Sequence, residues 1–232
     1  SLERLWQVHS KKDEDATELN KAKELPENKS IFIKNLSFQY GSKSSQMVLK
    51  NLSFEIPQGK TTAIVGASGS GKTTLIKLLL KFYEPTDGAI LIGNTNLNDL
   101  NNDYWRMNCG AVLQETFIFN DTIAGNISES EQNEIIDRDK LKNAVYIANI
   151  KDFVERLPNK LNTELGTSGI RLRGGQEQRL MIARAAYKNP EFVFFDEATS
   201  SLDANNEKTI MEKLNSFLNK KTSVIVAHRL ST

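Results

Sequence analysis

Cysteine is nearly missing from this sequence: the 232-residue chain has one, Cys109, which excludes a disulfide framework and suits a reducing cytosol. Long apolar runs are missing too. None approaches the ~20 residues needed to span a bilayer, and the N-terminus has no signal-peptide core. Neither charge is in excess, with 30 Lys and Arg against 29 Asp and Glu. Such a balance gives no whole-chain electrostatic case for nucleic acid, which we exclude as a partner. By itself the chain reads as soluble, with 39% hydrophobic residues, enough for a packed core. No internal repeat is apparent.

Residues 1–29 differ from the rest, being rich in mixed charge and poor in β-branched residues. Leu2, Leu5, Trp6 and His9 recur at helical spacing, so this stretch reads as a helix end running into a solvated, mobile linker broken at Pro26. From Ile31 the pattern turns to strands. "IFIKNLSFQY" and "VLKNLSFEI" read as an antiparallel pair, and "TTAIVG" as a short buried strand. "KTTLIKLLLKFY" has the apolar stripe of a helix; "GAILIG" and "CGAVLQ" are further strands. Residues 121–157 are mostly helical, with a cap at Asp137 and a stop at Pro158. A helix from Gly175 to about Asn189, the strand "FVFFDE", a helix over roughly 205–219 and the strand "TSVIVAH" complete the chain. Strands alternating with helices argue an α/β core with a parallel sheet. The chain stops just after a core strand, so a domain truncated at its C-terminal end is expected.

Gly66, Ala67, Ser68, Gly69, Ser70, Gly71, Lys72 and Thr73 fit G-x-x-x-x-G-K-[ST]. The motif follows a strand and opens a helix, the context in which backbone amides curl around phosphate oxygens. Lys72 supplies a point charge for the terminal phosphates, and the Thr73 hydroxyl is a Mg²⁺ ligand. In "FVFFDE" an unbroken apolar run means a strand buried on both faces. Asp196 then falls at the carboxyl edge, where α/β sheets bind ligands, and can hold Mg²⁺. Glu197 is placed to act as base or to orient water. His228 and Gln114 end strands at the same edge; Gln114 can ligate Mg²⁺ or a water. Tyr40 is either core or a face for a purine ring. A second anion-facing helix start is found in "IRLRGGQEQRL", where Gly174 and Gly175 open a helix with Arg173 at its mouth.

In this order the motifs resemble the nucleotide-binding domain of an ABC transporter, over about residues 31–232. The resemblance implies a P-loop NTPase core with a mainly parallel sheet, an antiparallel β subdomain, and a helical subdomain at about 115–175 carrying the signature motif. It implies ATP and Mg²⁺ as ligands. Tyr40 stands where the family stacks adenine, Gly66 to Thr74 is the Walker A segment, and Gln114 is the Q-loop glutamine. Leu172, Arg173, Gly174, Gly175 and Gln176 match the signature, usually L-S-G-G-Q, with arginine in place of serine. Phe192–Asp196 is Walker B, Glu197 the catalytic glutamate, Asp203 the D-loop aspartate and His228 the switch histidine. "TELG", 163–166, is similar to the segment exporters place before the signature. Residues 1–29 then form the linker from a missing transmembrane domain, and 30–232 the ATP-binding domain. The implied partners are a second nucleotide-binding domain, paired head to tail as a homodimer on ATP, and a transmembrane domain of the same polypeptide. The implied place is the cytoplasmic face of a bacterial membrane. An intracellular helix is expected to dock at Phe117–Phe119. "FFDEATSSLDANNEK" and "QETFIFNDTIAGNI" resemble peptide or bacteriocin exporters most. The competing readings are a soluble ABC ATPase without a membrane partner and a regulatory site that hydrolyses poorly.

Overall fold

The computed structural model describes residues 18–41, 46–129, 135–167, 169–196 and 204–227, with side chains in the last stretch from Ile210 onward. The described residues form two sheets and two cores. The first sheet is antiparallel, in the order β2 (Met47–Ile56), β1 (Ile31–Gln39), β4 (Asp87–Ile92), β5 (Thr95–Asn96). The second is wholly parallel, in the order β3 (Thr61–Val65), β8 (Thr222–Ala227), β7 (Phe192–Asp196), β6 (Cys109–Val112). Among the described residues seven helices join them: α1 (Lys72–Leu79), α2 (Asn102–Met107), α3 (Ile123–Ser128), α4 (Arg138–Ile147), α5 (Lys151–Glu155), α6 (Gly174–Lys188) and α7 (Ala204–Leu218).

Strand β7 divides the two cores. Its side chains alternate across the sheet. Phe192 and Phe194 pack with α1 and the antiparallel sheet, while Val193 and Phe195 pack with α3, α4, α6 and α7. Every residue of β7 is buried, as an unbroken apolar run requires. Trp105 of α2 closes the first core; its Nε1 donates to Leu79 O at 2.8 Å and its ring lies 4.7 Å from Phe192.

Three expectations need correction. Strand β3 is half exposed rather than buried, with Thr61, Ala63 and Val65 open on one face, because among the described residues it is the edge of the parallel sheet. A short repeat is present: Lys-Asn-Leu-Ser-Phe occurs at 34–38 and again at 50–54. The two copies pair antiparallel around Leu36↔Leu52 and exchange equivalent bonds, Asn35 N–H to Ser53 Oγ and Asn51 N–H to Ser37 Oγ, each 2.9 Å. Both asparagines sit at positive φ, 48° and 47°, a conformation asparagine tolerates better than most residues.

The third correction concerns the N-terminal segment, which is bound to the domain from Glu18 onward. The Glu18 carboxylate accepts from the Asn102 N–H at 2.5 Å, pairs with Lys21 at 2.7 Å, and is 8% exposed. Ala22 bridges to Leu100 through Ala22 N–H to Asp99 O and Asn101 N–H to Ala22 O. The charge density that suggested a solvated linker hid one useful carboxylate, which serves the unpaired first amides of α2. Burial alone would raise the Glu18 pKa, but Lys21 and the Asn102 amide bring it below the usual glutamate value. A depressed carboxylate stabilises the fold above its ordinary pKa, and that stabilisation fades as pH falls through the folded value. Glu18→Gln is expected to cost about 1–3 kcal/mol at pH 7 and progressively less as pH falls through the folded value, read by denaturant melts across acid pH. An equal cost at every pH would show that charge is not what holds the segment.

Candidate functional site

The parallel register brings the carboxyl ends of four strands to one edge. Val65 pairs with Ala227, Asp196 with Val226, and Val112 with Phe195. The loop after β3, Asp196 on β7 and the segment after β6 therefore share that edge. Glu197, Asp203 and His228 lie outside the described residues.

The loop from Gly66 to Gly71 turns sharply into α1. Gly69 and Gly71 have φ of 77° and 90°, which side chains rarely adopt. A Cβ on Gly71 would also lie 2.5 Å from Leu49 Cδ2, so close packing against β2 requires the glycine. Lys72 is 8% exposed, and its Nζ donates to Gly66 O at 2.9 Å and Ala67 O at 2.8 Å. The lysine thus holds its charge at the mouth of a loop whose amides converge with the positive end of a helix. Thr73 is half-buried in the first turn of α1, and Thr74 is buried beside it.

Tyr40 follows β1 at the rim of this loop. Its hydroxyl is 3.0 Å from Thr74 Oγ1, which fixes the ring to the first turn of α1. Phe38 and Tyr83 meet it edge-on, at 4.8 and 5.2 Å between centroids. The ring is 37% exposed, so an aromatic surface stands beside the phosphate loop. Tyr83 was not foreseen, because it follows α1 in a turn without periodicity.

Asp196 is 1% exposed, and neither carboxylate oxygen has a partner among the described residues. A buried carboxylate without a donor is costly, and a hard cation is one way to satisfy it. Asp196 and the Thr73 hydroxyl form the kind of sparse oxygen set that holds Mg²⁺ together with substrate phosphates, so the residues present fit that ion. Gln114 lies two residues past β6 and is exposed.

The second glycine-led helix start has a different setting. Arg173 is the N-cap of α6, and its N–H donates to the Gln176 Oε1 at 3.0 Å. Half a capping box is present, since arginine carries no acceptor to complete it. The Arg173 side chain is exposed and has no partner among the described residues. A Cβ on Gly174 would meet nothing within 4 Å, so no packing among the described residues demands glycine there. Beyond Gln114 the apolar surface is open as expected: Phe117 is 65% exposed and its ring packs edge-on against Phe119 at 4.7 Å.

These motifs, on this fold, coincide with a family model described as ABC transporter, which matches residues 49–200. The chain belongs to the ABC transporter family. It is similar to ABC transporter B family member 13 of Arabidopsis thaliana, 44% identical over 202 residues, covering 87% of this chain and 16% of that protein. It is 43% identical over 199 residues to an ATP-dependent lipid A-core flippase of Haemophilus influenzae, covering 86% and 34%. A solved structure of a bacterial Atm1-family ABC exporter with ATP bound superposes with a TM-score of 0.89 at 35% identity, over 99% of this chain and 40% of that one. The chain therefore spans well under half the length of these proteins. It has the fold of an ABC ATPase domain. Among the described residues no helix is long and apolar enough to cross a membrane.

Proposed function

We propose that the chain hydrolyses ATP as the engine of a membrane exporter, and does so as a head-to-tail pair. One observation carries the pairing. Helix α1 packs on the face of the parallel sheet that holds Phe192 and Phe194, and α6 on the opposite face with Val193 and Phe195. The two anion-facing helix starts are thus on different layers, and a single ATP in one chain has little use for both. Open space around Gly174 supports the same reading, since it leaves room for a second chain's nucleotide.

In this mechanism the amides of Gly66–Thr73 and the Lys72 ammonium bind the phosphates, and Tyr40 offers its ring to the adenine. Asp196, Thr73 and Gln114 would hold Mg²⁺, which would supply charge neutralisation at the transferred phosphoryl group. Glu197 orients the attacking water and His228 contacts the terminal phosphate. The partner's Arg173–Gln176 segment and Asp203 close over the nucleotide. A transmembrane domain of the same polypeptide docks on the open surface at Phe117, on the cytoplasmic face of a membrane. Peptide cargo rests on two resembling stretches alone; one relative is named for lipid A-core and others for multidrug resistance. Relatives named as transporters and a flippase argue against a soluble ABC ATPase. The exposed Arg173 favours, as a second reading, a site that hydrolyses poorly.

Light scattering of the chain with and without Mg-ATP tests the pairing. The wild type is expected to be monomeric without nucleotide, and Glu197→Gln to accumulate as a dimer with Mg-ATP. Phe117→Ala should pair as readily, because docking uses another surface. A stable nucleotide-free dimer, or no pairing in Glu197→Gln, would overturn the head-to-tail reading.

A further inference from the structure

Between β6 and α3 the chain is covalently joined to the parallel sheet but bonded to the helical layer. Pairing of β6 with β7 ends at Val112↔Phe195. Gln114 and Glu115 are exposed and form no hydrogen bond among the described residues. From Thr116 onward the attachments are all on the other side. Thr116 Oγ1 donates to Glu177 Oε2 at 3.4 Å, in the first turn of α6. Asn120 Oδ1 accepts from the Thr167 N–H at 2.8 Å. Asn126, wholly buried on α3, accepts from the Phe119 N–H at 2.9 Å and donates to Phe119 O at 3.1 Å and Asp121 O at 3.2 Å.

Arg184 on α6 ties these together. Its Nε donates to Asn126 O at 2.8 Å, and both terminal nitrogens reach Phe117 O, at 3.3 and 3.4 Å. One of them also donates to Asn126 Oδ1 at 3.3 Å. The guanidinium lies 5.2 Å from the Phe119 ring centroid, and Glu129 is 3.3 Å away. Among the described residues no other side chain joins the signature helix, α3 and the Phe117–Phe119 stretch at once with a rigid planar fork, which lysine cannot reproduce.

We propose that Arg184 is a positioning residue: braced by Asn126, it locks the Phe117–Asn120 segment to the signature helix, so that the segment and Arg173–Gln176 move as one body relative to the parallel sheet. The consequence for turnover rests on the ATPase reading above; the mechanical lock does not.

Amide hydrogen exchange and steady-state ATPase kinetics on the 232-residue chain test it. Arg184→Met keeps the stem and removes every donor. The Phe117–Asn120 amides should then exchange at least about tenfold faster, with β7 and α1 unchanged. Turnover should fall about tenfold in kcat with KM for ATP within about twofold, because the ATP-binding loop is on the other layer. Arg184→Lys should restore part of both. Glu129→Gln, which removes only the ion pair, should leave exchange within about twofold of wild type. Unchanged exchange at Phe117–Asn120 in Arg184→Met, or equal acceleration throughout the domain, would overturn the proposal. So would a rise in KM with kcat unaltered. If Arg184→Met does not fold, the lysine variant decides, and wild-type exchange there overturns the lock. A wild-type chain without ATPase activity would count against the functional reading and leave the exchange result standing.

Discussion

Asp196→Asn is expected to make the domain more stable and its ATPase almost inactive. The carboxylate is 1% exposed with neither oxygen partnered among the described residues. Unsatisfied buried polar groups cost about 1–3 kcal/mol, and charged ones more. An amide of the same shape removes the charge and keeps the packing between β6 and β8. We expect a gain of about 1–3 kcal/mol, which for a domain of this size raises the melting temperature by about 2–4 °C per kcal/mol. The same exchange removes the buried carboxylate that, among the described residues, would hold Mg²⁺ at this edge. Loss of about 3–4 kcal/mol of charge stabilisation on the transferred phosphoryl group slows turnover about 10²–10³-fold. ATP binding in the presence of a chelator should hardly change, since Lys72 and the loop amides remain. Calorimetry with and without Mg²⁺, beside an ATPase assay, reads both signs. Destabilisation together with lost activity would mean that Asp196 is structural, held by groups in the stretches outside the described residues.

The parts of this site legible in the sequence are those whose chemistry is local. Gly66–Thr73 needs positive φ at Gly69 and Gly71 and a lysine next to them, and a contiguous motif encodes both. The burial of β7 followed from its unbroken apolar run, and Asp196 at its end followed from that. Antiparallel pairing of β1 with β2 is legible in the two strand patterns, while the Lys-Asn-Leu-Ser-Phe repeat that lies across the pair is not, because five residues are short beside the periods that mark repeat folds. Long-range attachments left no local mark. Glu18 reads as one more charge in a charged tail until α2 brings its first amide to it. Arg184 reads as an ordinary helix residue until α3 and the Phe117–Phe119 stretch fold around it. The half-exposed β3 was misread for the same reason: an apolar pattern states what a strand can bury, while its place in the sheet decides what it does bury.

Arg173→Ser should raise steady-state ATPase activity several-fold without altering ATP affinity of the monomer. The argument is one of shape and charge. Arg173 caps a 15-residue helix without an acceptor to offer its amides. A serine cap would stabilise the helix by about 0.5–2 kcal/mol. Removing a cation from the helix N-terminus would add about 0.3–1 kcal/mol. Arg171, two residues away, is exposed as well, so a second positive charge lies near the same helix start. Nothing among the described residues anchors the Arg173 guanidinium, and Gly174 beside it opens onto free space. If the partner's nucleotide seats there, a long unanchored side chain must be displaced before the pair closes. A displacement cost of about 1.4 kcal/mol is a tenfold loss in rate. If the residue acts on the other chain's ATP, the effect should vanish at protein concentrations too low for pairing. A fall in activity on substitution would instead make Arg173 a contributor to transition-state charge, a role that can be worth about 10³–10⁵ in rate in other phosphoryl-transfer sites. Equal activity in both proteins at every concentration would place the guanidinium in solvent throughout the cycle and remove the case for obstruction.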